Sequence, residues 1–266
     1  MVVFPVGPSL GVIVPAFNEA ATLSRLLTLV LAQPCVQQVV VVDDGSSDGT
    51  FEQAQRFSAD PRLTICRLPV NTGKGAAIRT ALDAVRTPVV IIQDADLEYD
   101  PRQYEQMMTP ILDGRADVVY GVRGFLGHSS YSYWFVVGNR VVTTATNILF
   151  NCYIQDMETG FKAFRTDLVR RLRLTGNRFD IEPEITGRVL RLGYWIHEVP
   201  ITYYARSRAQ GKKLTWRDGV RALLTLLRLR CSTYRALFGA VDPYHAQRQA
   251  ELAALRLPGL PYERVA

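Results

Sequence analysis

Four acidic side chains follow an apolar run in the segment IIQDADLEYDP, residues 91–101. Side chains two residues apart on an extended backbone point the same way, so Asp94, Asp96 and Glu98 are able to converge on one point. Carboxylates crowded in this way repel one another unless a cation lies between them. Mg²⁺ and Mn²⁺ accept carboxylate oxygens and share their coordination shell with phosphates. The segment therefore predicts a Mg²⁺ or Mn²⁺ site, whereas a solvated turn that opens the next helix explains only its last two residues.

The elements that carry this segment alternate between strand and helix. Short β-branched runs predict strands at residues 11–15, 37–44, 63–68, 88–94 and 116–121. Amphipathic stretches between them predict helices at residues 20–33, 50–58, 74–85 and 102–113. Nearly continuous apolar strands separated by helices are typical of a parallel sheet that is covered on both faces. Ligands of such sheets bind beyond the carboxyl ends of the strands, which is where the acidic segment lies.

The bulk composition indicates a folded protein without a disulfide framework or a zinc site. The chain has 266 residues, 48% of them hydrophobic, enough for one large α/β domain with an appendage. Its four cysteines are scattered, with no C-x-x-C pair, and its three histidines are equally dispersed. No secretory signal is recognisable at the N-terminus, and no run of about 18 apolar residues predicts a transmembrane helix. We therefore expect a cytoplasmic protein.

Charge is distributed unevenly along the chain, whose formal net charge is +6. Residues 1–120 carry 9 Lys and Arg against 14 Asp and Glu, while residues 121–266 carry 22 against 11. An acidic half followed by a basic half suggests that one half binds a cation and the other meets an anion. Nucleic acid is the ordinary candidate for that anion, but no helix-turn-helix, zinc-finger or aromatic ribonucleoprotein motif supports it. We expect no nucleic-acid partner.

Several ordered motifs together resemble one enzyme family. They are VIVPAFNEAATL, VVVVDDGSSDGT, NTGKGAAIRTAL, DADLEYDP and VVYGVR. These motifs resemble those of the family 2 glycosyltransferases, and more narrowly those of the branch that contains the dolichyl- or polyprenyl-phosphate mannose and glucose synthases. The resemblance extends from about Val12 to about Arg221. It implies a Rossmann-like GT-A fold that binds nucleotide sugars, with a mostly parallel central sheet, helices on both faces and amphipathic helices after them.

The resemblance assigns donor and metal positions in the first half of the chain. It implies that the nucleotide sugar is bound by Pro15, Phe17, Glu19, Asp44, Lys74 and Asp94. Phe17 departs from the tyrosine that is usual in the family and therefore lacks its hydroxyl. Asp94 and Asp96 match the family's Asp-x-Asp motif, which holds a Mg²⁺ or Mn²⁺ ion against the donor diphosphate, and Glu98 falls at a third ligand position. A plain turn with a solvated lysine is the alternative at Lys74.

The acceptor positions implied by the resemblance follow in the second half. Arg123, Arg140 and Thr144 are implied to bind the acceptor phosphate. Arg140 and Thr144 are four residues apart, hence on one helix face, where together they are able to grip one anion. The aromatic residues Tyr133 and Trp134 at the start of this stretch suit a membrane interface as well as a protein core.

The same resemblance points to catalytic groups further along. Asp156 and Arg206 are implied as catalytic residues, with Arg206 facing the diphosphate and Lys212–Lys213 nearby. Asp156 lies in an otherwise apolar setting, as do Glu182 and Glu184. Structural ion pairs with the many arginines of this half are an equally good explanation for these three acids.

A basic amphipathic segment follows. Its apolar residues at helical spacing are Trp216, Val220, Leu223, Leu224, Leu227 and Cys231, with Arg217, Arg221 and Arg228 off that stripe. A basic amphipathic helix with tryptophan is typical of an anchor at a membrane interface, and a helix docked on its own domain is the alternative. We accordingly expect a catalytic domain at 1–205, with a nucleotide-sugar half at 1–121 and an acceptor half at 122–205. Residues 206–266 would form a membrane-interface element that attaches the protein peripherally to the cytoplasmic face of a membrane.

Together these features predict an inverting, metal-dependent glycosyltransferase with a UDP-glucose or GDP-mannose type of donor. The predicted acceptor is a polyprenyl phosphate, which is ionised near neutral pH and needs no general base, whereas a sugar hydroxyl would need one. A family 2 enzyme with a sugar or small-molecule hydroxyl acceptor is the first alternative. A nucleotidyltransferase or a non-catalytic nucleotide-binding module is the second, and the loop PAFNEA lacks the glycine-rich pattern of the former. The oligomeric state is left open.

Overall fold

The computed structural model describes residues 9–124, 133–206 and 216–239. Its strands are β1 (Leu10–Ala16), β2 (Val36–Asp43), β3 (Leu63–Arg67), β4 (Val89–Ile92), β5 (Val118–Arg123), β6 (Lys162–Arg165) and β7 (Ile196–Ile201). Its helices are α1 (Leu23–Leu31), α2 (Thr50–Gln55), α3 (Lys74–Ala84), α4 (Tyr104–Leu112), α5 (Tyr133–Phe150), α6 (Thr166–Arg171), α7 (Ile181–Arg191), α8 (Trp216–Cys231) and α9 (Tyr234–Phe238). The predicted alternation of strand and helix in the first half is confirmed, although the bounds of the elements differ from the prediction by up to a few residues.

The seven strands form one sheet in the order β3-β2-β1-β4-β6-β5-β7. Strands β1 to β4 pair in parallel, and β7 pairs in parallel with β5. Strand β6 is antiparallel to both of its neighbours, β4 and β5. The prediction of a mostly parallel α/β sheet is therefore confirmed. Strand β6, from the second half of the chain, lies between β4 and β5 of the first half.

The central strands bury both of their faces. Val12 and Val14 of β1 pack in one cluster with Leu26 of α1 and Met107 of α4. Ile13 between them is equally buried and points to the opposite face, because side chains alternate along a strand. Helix α3 packs against β1 and β2. Each fully buried aliphatic side chain contributes about 1.5–3 kcal/mol relative to exposure, so the strand ends are held on a rigid base.

A second cluster joins the helices of the second half to the sheet. Val142 of α5, Met157 and Leu226 of α8 form its centre, and Ile196 of β7 packs against it. Two compact units are distinguished, Met1–Cys231 and Ser232–Ala266, and α8 belongs to the first. Within the described ranges, every helix is too short or too polar to cross a bilayer.

Candidate active site

One cavity of about 540 Å³ lies beyond the carboxyl ends of β1, β2, β4 and β5. The residues expected from the sequence that line it are Pro15, Phe17, Glu19, Asp44, Lys74, Asp94, Asp96, Glu98, Arg123 and Arg206. These positions come from both halves of the chain, so the fold assembles acidic and basic groups into a single space. Three other expected residues, Asp156, Arg140 and Thr144, are not part of this lining as far as the structure describes it.

Asp44 fixes the loop that precedes α3. Its carboxylate accepts hydrogen bonds from the backbone N–H groups of Thr72 and Gly73, at 2.8 and 2.7 Å. Gly73 has a φ of 112°, a conformation that favours glycine. The loop therefore positions Lys74, the first residue of α3, in the lining of the cavity. Asp44 also lines the cavity.

Lys74 joins two acids from distant parts of the chain. Its ammonium lies 2.6 Å from Asp94 and 2.9 Å from Glu182. Glu182 also pairs with the fully buried Lys162 of β6. Burial would raise the pKa of Glu182, but Lys162 and Lys74 lower it to about 2, so the carboxylate is ionised. Lys74 is therefore a member of a buried charge network, and the alternative of a solvated lysine is excluded for this structure.

The acidic segment after β4 is a turn rather than an extended strand. Leu97 has a positive φ of 63°, and the N–H of Glu98 donates to Asp96 at 3.1 Å. The Asp96 carboxylate accepts from Arg206 at 2.7 Å, and Arg206 also reaches Glu19 at 3.0 Å. Asp94, by contrast, faces Lys74. The two aspartates are thus each paired with a different cation.

The surroundings of Asp94 and Asp96 suit a divalent cation. Burial raises the pKa of the Asp96 carboxyl to about 7, with Asp94 and Glu98 adding to the rise and Arg206 opposing it. Such a crowded, buried carboxylate is the kind of group that a divalent cation stabilises, so Asp94 and Asp96 fit the expected ion. Glu98 accepts from Tyr203 Oη at 2.6 Å and from the Arg206 N–H at 2.8 Å. Across the described ranges, no three acidic, histidine or cysteine side chains form a ready metal cluster, so the role of Glu98 as a third ligand stays a prediction.

Arg123 and Asp156 form a buried bidentate ion pair. The arginine Nε and Nη2 donate to the carboxylate at 2.7 and 2.6 Å, and Asn139 of α5 donates to the same group at 3.0 Å. Arg123 also lies over the rings of Phe135 and Tyr203. The Asp156 side chain is 0% exposed, so the geometry gives it the task of positioning Arg123, which itself lines the cavity. Asp156 itself is not in the cavity lining as far as the structure describes it, so its implied role as a catalytic residue stays a prediction.

The comparison of this chain with known proteins decides its family. The model of the family described as Glycosyl transferase family 2 matches residues 11–173. The chain belongs to that family. Among its family 2 relatives, Glycosyltransferase AglJ of Haloferax volcanii is 28% identical over 236 residues, which are 88% of this chain and 76% of the relative. The polyprenol monophosphomannose synthase of Mycolicibacterium smegmatis is 28% identical over 212 residues, which are 76% of this chain and 79% of the relative.

Solved structures support the same architecture. Glucosyl-3-phosphoglycerate synthase from Mycobacterium tuberculosis, in complex with Mn²⁺ and UDP-glucose, matches with a TM-score of 0.66 at 21% identity, over 89% of this chain and 81% of that one. Another structure of that protein contains Mg²⁺ and UDP, with a TM-score of 0.65. The likeness shows that this family 2 chain has the GT-A fold, as its sequence motifs imply.

Two positions that the family resemblance assigned to the acceptor phosphate lie elsewhere. Arg140 and Thr144 share a helix face, as expected, but that face of α5 is exposed to solvent. Their neighbours Asn139 and Thr143 are the residues that point inward, towards Asp156 and the N–H of Met157. The helix phase therefore separates Arg140 and Thr144 from Arg123, and the structure does not bring the expected set of three together.

Other side chains at the site were not predicted to belong to it. Tyr203 and Glu158 line the cavity, and neither was selected from the sequence. The signal for Glu158 was its place in the DMETGFK motif, two residues from Asp156. Glu184, in contrast, accepts from the N–H groups of Thr175 and Gly176 and pairs with Arg188, so its role is structural. Lys212–Lys213 lie outside the described residues.

Proposed function

We propose that the chain transfers a hexose from a nucleoside diphosphate sugar to a polyprenyl phosphate. The observation that carries this proposal is the single cavity in which Asp94 and Asp96 stand opposite basic groups. Lys74, Arg123 and Arg206 all line that cavity. A nucleoside diphosphate sugar and a phosphate acceptor are both anions, and a site with two acids for a metal ion and three cations around them suits both.

The donor is held by groups at the ends of β1, β2 and β4. Phe17 and Pro15 offer apolar surface to the nucleoside. A divalent cation bound by Asp94 and Asp96 would neutralise charge on the donor diphosphate and so assist its departure. With Asp96 engaged by such an ion, Arg206 would be able to donate hydrogen bonds to the diphosphate as negative charge develops on it. Lys74 stays beside Asp94 and adds a further positive charge.

The acceptor is oriented by Arg123. Its guanidinium is fixed by Asp156 and by the rings of Phe135 and Tyr203, so an incoming phosphate meets a rigid partner. The phosphate oxygen attacks the anomeric carbon from the face opposite the diphosphate, which inverts the configuration of that carbon. The likeness to a relative named polyprenol monophosphomannose synthase supports this class of acceptor.

A lipid acceptor requires contact with a membrane surface, and α8 offers one. The helix buries Ala222, Leu226 and Leu229, while Leu224 is 61% exposed. The other exposed residues of the helix, among those whose side chains are described, are Val220, Leu227, Cys231, Arg217, Arg221, Arg228 and Arg230. We propose that this mixed apolar and basic face binds anionic lipid, where each arginine near the surface adds about 1 kcal/mol. The apolar residues that were expected to form one stripe on α8 therefore do not all face solvent. Leu223 packs against the buried cluster of the domain, and for Trp216 only the backbone is described.

A transfer assay tests the proposed function. The purified chain is incubated with UDP-glucose or GDP-mannose labelled in the sugar, with polyprenyl phosphate in detergent and with Mn²⁺ or Mg²⁺. We expect label to enter an organic-phase, acid-labile product, and chelation of the metal to stop this. Label found only in water-soluble saccharides would instead indicate the hydroxyl-acceptor alternative. Pyrophosphate release from a nucleoside triphosphate and a sugar phosphate would indicate a nucleotidyltransferase, and nucleotide binding without any turnover would indicate a binding module.

A further inference from the structure

A loop from the second half of the chain lies across the start of α3. Residues 175–177 lie between α6 and α7, and the backbone carbonyl of Asn177 accepts a hydrogen bond from the N–H of Ala76 at 3.1 Å. The N-cap residue of α3 is Gly73, which has no side chain to accept such a bond, so the loop supplies the acceptor. A Cβ on Gly73 or on Gly75 would overlap a carbonyl oxygen of this loop. The two glycines of the motif therefore allow the second half to approach α3 closely.

Arg79 of α3 binds the 175–177 loop along its whole length. Its guanidinium donates to the carbonyl of Thr175 at 3.0 Å, to the carbonyl of Gly176, and to Oδ1 of Asn177 at 2.7 Å. A guanidinium carries five N–H donors in one rigid plane, so a single arginine is able to bind all three acceptors together. A lysine, with one ammonium group, has no such planar set of donors.

Glu184 of α7 binds the same loop through its other backbone groups. This buried carboxylate accepts from the N–H of Thr175 at 3.0 Å and from the N–H of Gly176 at 2.6 Å. The donors of the loop are therefore used by α7, while its acceptors are used by α3. The loop is held in one position between the two helices.

The 175–177 loop links the second half of the chain to the donor part of the cavity. The start of α3, which the loop contacts, carries Gly73 and Lys74, and both line the cavity. Arg178, directly after the loop, lines it too. Glu182, which follows at the start of α7, lies 2.9 Å from the Lys74 ammonium. The position of the loop therefore sets the positions of cavity groups from both halves of the chain.

We propose that Arg79 is a positioning residue for nucleotide binding, which acts through the 175–177 loop on Lys74 and the start of α3. The proposal rests on the proposed donor, a nucleoside diphosphate sugar. Arg79 itself is not in the cavity lining as far as the structure describes it, so its effect reaches the nucleotide through the loop. On this proposal the second half of the chain, which was expected to serve the acceptor, also completes the donor site.

Calorimetric titration of the full chain with UDP and with GDP, in the presence of Mn²⁺, tests the proposal. Since misplacement of a binding group by about 1 Å is able to cost about 100-fold in rate, we expect Arg79→Gln to weaken binding of the preferred nucleotide about tenfold. In the transfer assay this variant should raise the KM for the nucleotide sugar and leave the KM for polyprenyl phosphate unchanged. Hydrogen exchange at the amides of Thr175 and Gly176 should become faster.

Arg86→Gln is the matched control. Arg86 lies just beyond the end of α3 and donates to the carbonyl of Asp83 at 2.6 Å. The change removes the same charge and the same kind of hydrogen bond without affecting the 175–177 loop, so nucleotide binding should equal that of the wild type. Arg79→Lys keeps the charge but not the planar donors, and should recover only part of the binding.

Asn177→Ala is a second variant that keeps the inference testable if Arg79→Gln does not fold. It removes one acceptor of Arg79 and leaves the backbone carbonyl in place, and it should weaken nucleotide binding in the same direction. Unchanged nucleotide affinity in Arg79→Gln, equal losses in Arg79→Gln and Arg86→Gln, or full recovery in Arg79→Lys would overturn the inference. Wild-type protein that binds neither UDP nor GDP would count against the proposed function instead.

Discussion

The guanidinium of Arg206 lies 2.7 Å from Oδ2 of Asp96, although the two residues are 110 positions apart in the chain. The same guanidinium reaches Glu19, and the Arg206 N–H donates to Glu98. One arginine therefore neutralises acids from the ends of both β1 and β4. On the proposed function, a metal ion and Arg206 compete for Asp96, so binding of the metal–nucleotide complex would release Arg206 towards the diphosphate.

Asp156→Asn tests the assignment of Asp156 to the positioning of Arg123. The change leaves a buried guanidinium beside a neutral amide, and we expect the free energy of unfolding to fall by about 3–5 kcal/mol. Urea denaturation measures this loss, and the KM for the acceptor should rise more than that for the donor. Replacing both residues with methionine should recover much of the stability but not the acceptor binding. A stable Asp156→Asn variant whose kcat is abolished at unchanged acceptor KM would indicate that Asp156 takes part in catalysis directly.

Glu182 links stability to acid pH. Its folded-state pKa of about 2 lies below its ordinary value of 4.5, because Lys162 and Lys74 outweigh the effect of burial. Its contribution to the free energy of unfolding is therefore complete above about pH 4.5 and is lost as the pH falls towards 2. Glu182→Gln lacks that contribution, so its destabilisation relative to the wild type should shrink between pH 7 and pH 3. A difference in urea midpoints that stays constant over this range would show that Glu182 is not held ionised.

Gly160 lies against the ion pair of Lys74 and Asp94. A Cβ at this position would overlap Oδ2 of Asp94 and approach the Lys74 ammonium to 3.2 Å. Since misplacement of a binding group by about 1 Å is able to cost 100-fold in rate, we expect Gly160→Ala to lower turnover by about 10–100-fold. Gly138→Ala is the matched control, because a Cβ there meets open space on α5 and should stabilise the helix by about 0.5–1 kcal/mol. Equal turnover of the two variants would show that the position of Asp94 does not matter for the reaction.

Leu224→Asp tests whether the exposed face of α8 binds anionic lipid vesicles. Leu224→Asp places a charge in the middle of the apolar stripe, so binding to vesicles that contain anionic lipid should drop at least tenfold in a flotation assay. Thr28→Asp, on the exposed face of α1, adds the same charge elsewhere and should bind like the wild type. Wild-type protein that does not float with anionic vesicles would exclude α8 as a lipid-binding surface.

Much of the site could be predicted because parallel strands bring their carboxyl ends to one edge. The residues after β1, β2 and β4 were identified from strand periodicity and motifs, and the cavity contains them. The antiparallel β6 (Lys162–Arg165) was not predicted, because two apolar residues between two charged ones are too few to be distinguished from a loop. That strand is what brings Lys162 and Glu158 beside Glu182.

Helix phase and burial were harder to predict. Helix α5 carries apolar residues on several sides, so its sequence does not show whether Asn139 or Arg140 faces inward. A shift of one residue turns the chosen face by about 100°, which is why Arg140 and Thr144 were assigned to the site and Asn139 was not. Glu158 was missed for a related reason, because nothing in a sequence distinguishes a carboxylate in a cavity wall from a solvated one.

The central claim is that Asp94 and Asp96 bind a divalent cation together with a nucleoside diphosphate. Titration of Mn²⁺, followed by electron paramagnetic resonance with and without UDP or GDP, tests it most directly. The wild type should bind Mn²⁺ more tightly when its preferred nucleotide is present, and Asp96→Asn should weaken that binding at least tenfold. Asp100→Asn, whose carboxylate caps the next turn by bonding Arg102, is the control and should bind like the wild type. Equal Mn²⁺ affinity in the wild type and Asp96→Asn, with no response to either nucleotide, would contradict the claim.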